Sequence, residues 1–292
     1  MSSSLVRSIY RALLRSASTL RHRERALKIR ERPSAEVRGV LVAHVPDAEG
    51  ARREALLACL PPGLLPHTLP AELSFDYASL SACIRDNFRA NQALPRGSAA
   101  AEQAVDSALA AVRFLSQQAS LDECSNSVSV RNVELEGTSC FEAKDSSGEE
   151  LPDGGSYEDG QEAFRFAYRL SIRNTGTSKL RFGGVKYTIH DEQGNASANA
   201  HLQAMTAKGE RPPIGSGYHS LLLPGEALEL THLAYLPTAE GLVSGTATLQ
   251  RVRAGRYPDR MRLELPPFRL QAPRALRRKP RQDEAESKGA AQ

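Results

Sequence analysis

The hydrophobic positions of this chain follow two periods, one before Leu121 and another after it. Over 5–20, Leu5, Ile9, Leu13, Ala17 and Leu20 recur at three- and four-residue steps, the spacing that stacks side chains on one helix face. Arg7, Arg11 and Arg15 fall on the opposite side, while Tyr10 and Leu14 border the stripe. Ser2 to Ser4 offer N-cap oxygens and Pro33 supplies a stop. A second helix is predicted over 79–91, with Leu80, Ile84 and Phe88 four apart. A third is predicted over 99–118, where an alanine-rich run carries Val105, Leu109, Val112 and Leu115. Three such stripes need burial, and a small antiparallel three-helix bundle provides it.

Between the first two helices, 38–77 reads as an insertion with partial structure. Val40-Leu41-Val42 fits strand or loop, 54–60 fits a helical turn or two, and Pro61, Pro62, Pro66 and Pro70 break the chain. After Leu121 the period becomes two. Phe164, Phe166, Tyr168, Leu170 and Ile172 alternate cleanly, and Asn174-Thr-Gly176 closes that run as a turn. Val128, Val130 and Val133 alternate less regularly over 127–135, and the pattern returns over 180–189, 227–233, 244–252 and 261–270. Turn signals at Asp191–Gly194, Pro224-Gly225, Glu240-Gly241 and Tyr257–Asp259 separate these runs. Six or seven short strands divided by turns predict an antiparallel β-sandwich. The expectation is an α + β chain of two domains: helices over 1–119 with the insertion at 38–77, an all-β sandwich over 120–272, and a basic, disordered tail over 273–292.

Composition adds little until it is read by segment. The whole chain of 292 residues is 40% apolar and 25% charged, with a net charge of +4. No apolar run reaches the length of a membrane span. Residues 1–39 nevertheless hold ten Lys or Arg against Glu24, Glu31 and Glu36. No acid precedes Glu24, and six serines are interspersed up to Ser18. Arg-rich, Ser-rich and acid-poor is the composition of an organelle transit peptide, so a mitochondrial matrix address is expected, with a plastid as the alternative. Acids dominate 142–162, and a second basic cluster runs from Arg277 to Arg281. That pentad reads as a solvated tail. Without interleaved aromatics, nucleic acid is not an expected partner.

The second half contains Phe166-Ala-Tyr168, Ile172-Arg-Asn-Thr-Gly176, Tyr187-Thr-Ile189 with Asp191 and Gly194, Leu223-Pro-Gly225-Glu226, Gly241 and Gly245, and Leu265-Pro-Pro-Phe268-Arg-Leu270. In this order the stretches resemble the ApaG family, which implies an immunoglobulin- or fibronectin III-like sandwich. The region that would match that family's glycine-rich run reads Gly209-Glu-Arg-Pro-Pro-Ile-Gly215-Ser-Gly217, with different spacing. The first half carries Ile9-Tyr10-Arg11 near the start of its first helix and Ile84-Arg85-Asp-Asn-Phe88-Arg89-Ala-Asn91 on its second. These resemble the LYR-motif family of small mitochondrial three-helix proteins. That resemblance implies binding of an acylated acyl carrier protein, with Tyr10 where the carrier helix docks, Arg7, Arg11 and Arg15 facing its acidic helix, and Arg85, Phe88 and Arg89 beside them. Tyr10 also reads as a boundary aromatic, and Phe88 as core.

Catalytic chemistry finds no constellation. The seven histidines show no tight ligand spacing, and His190-Asp191 places its two side chains on opposite faces of a strand. Gly215-Ser-Gly217 is not a nucleophile elbow. The four cysteines form no C-x-x-C pair, and the acidic segment lacks the spacing of a calcium loop. No catalytic residue, metal ligand or cofactor is assigned. The expected function is a non-enzymatic mitochondrial adaptor whose sandwich offers a second protein-binding surface. The alternative is an ApaG-type small-ligand or divalent-cation module whose N-terminus is only a transit peptide.

Overall fold

A computed structural model describes residues 3–21, 26–33, 41–64, 74–145, 163–203, 221–252 and 259–277. These form a β-rich chain with four helices: α1 (Ser3–Ser18), α2 (Ala48–Cys59), α3 (Tyr77–Ala90) and α4 (Ala99–Glu123). Asp47, Asp76 and Ser98 cap the last three, their side-chain oxygens accepting from Gly50 N, Ser79 N and Ala101 N. The stretch expected to hold one or two helical turns is thus a capped three-turn helix. No helix of the described residues is long and apolar enough to cross a membrane.

Ile9, Leu13, Ala17 and Leu20 of the α1 stripe are buried against Leu80 and Ile84 of α3 and Val105, Ala111, Phe114 and Leu115 of α4. Of the expected α4 stripe, Val105 and Leu115 are buried and Val112 packs against the same cluster, while one position departs from it. Leu109 is exposed, while Ala104, Ala108 and Ala111 face the space beside α1. The helix runs on to Glu123, so Leu121 extends burial beyond the expected end at Gln118.

The strands are β1 (Leu27–Lys28), β2 (Leu41–Val45), β3 (Ser74–Phe75), β4 (Ser125–Val130), β5 (Val133–Asp145), β6 (Ala163–Asn174) and β7 (Leu180–Asp191). They continue as β8 (Ala196–Gln203), β9 (Leu221–Leu222), β10 (Ala227–Leu236), β11 (Glu240–Arg251), β12 (Asp259–Glu264) and β13 (Phe268–Gln271). A five-stranded antiparallel sheet runs β2-β10-β6-β5-β4. A six-stranded one runs β12-β11-β7-β8, with β13 also on β11 and β9 on β7. The two sheets enclose one apolar cluster, to which Phe166, Tyr168 and Ile172 contribute from one side and Phe182, Val185, Leu249 and Phe268 from the other. The run expected over 127–135 is two strands, because Arg131 and Asn132 both take positive φ (52° and 64°) and close a two-residue hairpin. The run over 261–270 breaks at Pro266-Pro267, which have no N–H to donate to a neighbouring strand.

The stretch read as an insertion in the helical half crosses into the β-sheet. Residues 41–45 pair with β10 from Thr231 to Ala227, while Leu56, Leu60 and Leu64 join the helical cluster. Residues 146–162, the glycine-bearing 209–217 and the basic 278–281 lie outside the described residues.

Candidate functional site

The alanine face of α4 leaves a cavity of about 840 Å³ between α1, α3 and the connection from α3 to α4. Val6, Ile9 and Leu13 of α1, Ile84 and Phe88 of α3, and Ala104, Ala108 and Ala111 of α4 supply apolar lining. Asn87, Asn91, Gln92 and Gln103 supply polar groups, and the exposed Arg7 and Arg96 stand where the cavity meets solvent. Its volume lies within the range of roughly 300–1,000 Å³ that holds small organic ligands. A lining that joins apolar side chains to amides and two arginines suits an amphiphile with an anionic head.

Of the expected binding residues, Arg7 and Phe88 line the cavity. Tyr10 is half-buried, and its ring packs on that of Phe88 with centroids 4.8 Å apart. The two aromatics expected as dock and core are therefore one contact joining α1 to α3. Arg11 and Arg15 are exposed on α1, and Arg85 and Arg89 on α3; none of the four lines the cavity. Arg89 Nη1 lies 3.5 Å from Asp86, one turn earlier on the same helix.

Sequence reasoning missed a charged seam between the two halves. The outward residues of β5 include Glu134, Glu136 and Glu142, and segment 26–33 lies over them. Leu27 and Ile29 point into the helical cluster, while Lys28, Arg30 and Arg32 reach the carboxylates. Arg30 Nε is 3.1 Å from Glu136 Oε1, its Nη1 is 2.7 Å from Asp122 on α4, and Arg52 from α2 donates to both Glu136 oxygens at 3.0 and 2.9 Å. Burial pushes the Glu136 carboxyl up, but Arg52, Lys28 and Arg30 outweigh it and hold it at about 2. The buried Gln118 side chain bridges the backbone of Arg30, accepting from its N–H at 2.8 Å and donating to its carbonyl at 2.9 Å. Glu31 pairs with Arg169, and Glu49 with Arg173. The signal available in the sequence was the alternation Leu27-Lys-Ile-Arg-Glu-Arg32, which the dense positive charge of the segment obscured.

The remaining titratable groups hold structure. His44 on β2 lies 3.0 Å from Glu226, whose carboxylate also accepts from Leu223 N, so the edge strand is pinned to the Leu-Pro-Gly-Glu turn. His232 lies 3.2 Å from the Tyr168 hydroxyl, which donates to Tyr187 at 2.7 Å between the sheets. His219 and the side chain of His201 lie outside the described residues. Burial pushes the Cys124 thiol up to about 11 and the Cys140 thiol to about 12, so both are protonated at neutral pH. Among the described residues, no three His, Cys, Asp or Glu side chains gather as a metal site would require.

Comparison with known proteins gives relatives for part of the chain. Over 111 residues it is 32% identical to protein ApaG of Azoarcus sp. (strain BH72), spanning 38% of this chain and 76% of that protein. Over 101 residues it is 33% identical to protein ApaG of Maricaulis maris (strain MCS10), spanning 35% of this chain and 68% of that protein. A solved structure of the ApaA protein from Bordetella pertussis matches at 22% identity and a TM-score of 0.32, covering 50% of this chain and 98% of that one. No family model matches the chain.

Proposed function

The chain belongs to the ApaG family, and from that premise we propose that it is a non-enzymatic mitochondrial adaptor that joins an acyl-carrier-binding helical unit to an ApaG unit with a second protein-binding surface. In this reading α1, α3 and α4 form a LYR-like bundle and the two sheets form the family's immunoglobulin-like sandwich. The observation that supports it is the cavity of about 840 Å³ behind Tyr10 and Phe88. An acyl chain presented by its carrier enters beside Arg7 and lies along Ile9, Leu13, Ile84 and the alanines of α4. Burying about a dozen methylenes contributes on the order of 10 kcal/mol before association costs, so the chain supplies most of the affinity. Arg11, Arg15, Arg85 and Arg89 are exposed on α1 and α3. Each exposed ion pair with an acidic carrier helix contributes about 0.2–1 kcal/mol, so these residues set orientation and on-rate.

The mitochondrial matrix assignment is supported by the acid-free, Arg- and Ser-rich stretch up to Arg23. Recovery of the full chain on immobilised acyl carrier protein, with and without a long acyl group, tests the reading. Acyl-dependent capture that falls in an Arg11→Glu, Arg15→Glu variant is the expected result. Equal recovery of that variant, or capture indifferent to the acyl group, overturns it.

A further inference from the structure

The six-stranded sheet turns one face to the core, and its other face carries a field of positive charge that the adaptor reading does not use. Alternation places Leu180, Phe182, Val185 and Tyr187 of β7 inward, so Arg181 and Lys186 point outward and are exposed. On β12, Met261 and Leu263 are buried while Arg260 and Arg262 are exposed. Register brings these cations together across β11. Arg181, Gln250 and Arg260 form one cross-strand row, Gly184, Thr248 and Arg262 the next, and Lys186, Thr246 and Glu264 a third. Cross-strand neighbours are about 4.8 Å apart, so four cations stand within three adjacent rows. Among the described residues no carboxylate forms an ion pair with Arg181, Lys186, Arg260 or Arg262, and Glu264 is the single acid in these rows.

The shape of the face selects among anionic partners. The rows between the cations hold Thr246, Thr248, Gln250 and the bulged Gly183-Gly184, so among the described residues the surface between the cations is low. Gly183 lies close enough to Thr248 that an added Cβ would stand 3.2 Å from its Cγ2 and its carbonyl oxygen, so no side chain rises from the face at this position. Phe182 and Tyr187 of β7 turn inward, so neither of these rings is offered for a base to stack on. Leu242 at one end of β11 and Val252 just past the other are 39% and 41% exposed, and the charges lie between them. We infer that this face of the ApaG unit docks on an anionic lipid bilayer, Arg181, Lys186, Arg260 and Arg262 meeting headgroup phosphates and Leu242 and Val252 entering the interface. A basic surface edged by apolar side chains combines the two attractions that peripheral membrane binding needs.

Flotation of the full-length protein with vesicles of phosphatidylcholine alone, and with vesicles that also carry phosphatidylserine, tests the inference. Low-salt binding to the anionic vesicles about tenfold stronger than to the neutral ones is expected, weakening as salt screens the charges. Arg181→Glu with Arg262→Glu abolishes it, and Leu242→Ser weakens it. Arg260→Gln with Lys186→Gln, a milder change on the same face, gives an intermediate loss and serves if charge reversal disturbs folding. Failure to float with either vesicle, or undiminished flotation of both multiple variants, overturns the inference. So does a wild-type protein that ignores vesicles yet binds duplex RNA in a manner lost on Arg181→Glu, Arg262→Glu.

Discussion

Arg30 and Glu136 stand 106 positions apart in the chain and meet at 3.1 Å with both side chains buried. One belongs to the segment beneath the helices and the other to a strand of the ApaG unit, so the contact makes the two halves one folded object. Removing one member of a buried pair strands the other charge and costs about 3–5 kcal/mol. Glu136→Gln leaves Lys28, Arg30 and Arg52 around a neutral amide, and a loss of about 3 kcal/mol in urea unfolding is expected. Arg30→Met costs less, because Arg52 and Lys28 still neutralise Glu136. Identical losses for the two variants would show that Arg30 carries the seam alone.

The same carboxylate makes folding pH-dependent. Its folded pKa, about 2, lies below the ordinary 4.5, so the unfolded chain binds the proton more readily. The stabilisation is complete above 4.5 and is lost as pH falls from there towards 2, amounting to about 3 kcal/mol across the window. Urea midpoints measured through this range should fall steeply for the wild type and more shallowly for Glu136→Gln. Parallel curves would remove Glu136 as the source.

Gln118 does for Arg30 what a neighbouring strand would do, pairing its N–H and its carbonyl through one amide. Gln118→Leu keeps the volume and leaves both backbone groups unpaired in a buried site. Each unsatisfied group costs about 1–3 kcal/mol, so the variant should lose at least about 2 kcal/mol. Faster amide exchange at Arg30, by mass spectrometry of its peptide, is the local readout.

How far the sequence disclosed this structure depends on where each residue's partners lie. Ile9, Leu13, Ala17 and Leu20 show the buried face of α1 because their neighbours recur within one helix turn. Phe166, Tyr168 and Ile172 do the same for β6. The ApaG-like stretches also have structural reasons. Asn174 donates to the carbonyls of Ser178 and Leu222, and its own backbone pairs with Gly225 and Glu226, so the Asn-Thr-Gly and Leu-Pro-Gly-Glu turns are one assembly. Residues 41–45 gave a weak signal because their pairing strand lies beyond position 226. The α4 stripe was legible at Val105, Val112 and Leu115, and it failed at Leu109, which is exposed. The cavity was invisible because alanine reads as helix propensity and not as absent volume.

Gly245 offers a test of sheet packing. A Cβ there would overlap the carbonyl of Lys186 and stand 2.6 Å from the Cα of Tyr187, both backbone atoms of the neighbouring strand. Neither can move without opening the β7–β11 ladder. Gly245→Ala should therefore lower stability by at least about 2 kcal/mol, in the range of an overpacked core. The value comes from thermal unfolding, and a change smaller than about 0.5 kcal/mol would show that the strands separate freely.

Filling the cavity separates acyl binding from carrier docking. Ala108 lies on the face of α4 that lines the space between the helices, and a phenyl group at this position occupies volume without removing a charge or a hydrogen bond. Ala108→Phe should keep the fold, since the added ring enters existing space and does not displace packed atoms. Capture by carrier protein bearing a long acyl chain should fall at least about tenfold, because the apolar term supplies most of the affinity. Weak capture by the unacylated carrier should not change, since it depends on Arg11 and Arg15 at the surface. Arg11→Glu, Arg15→Glu has the opposite signature, slowing association with both forms of the carrier while leaving the acyl preference in place. If the phenyl group leaves long-chain capture intact, the acyl chain does not occupy this cavity, and Tyr10 and Phe88 serve only to hold α1 against α3.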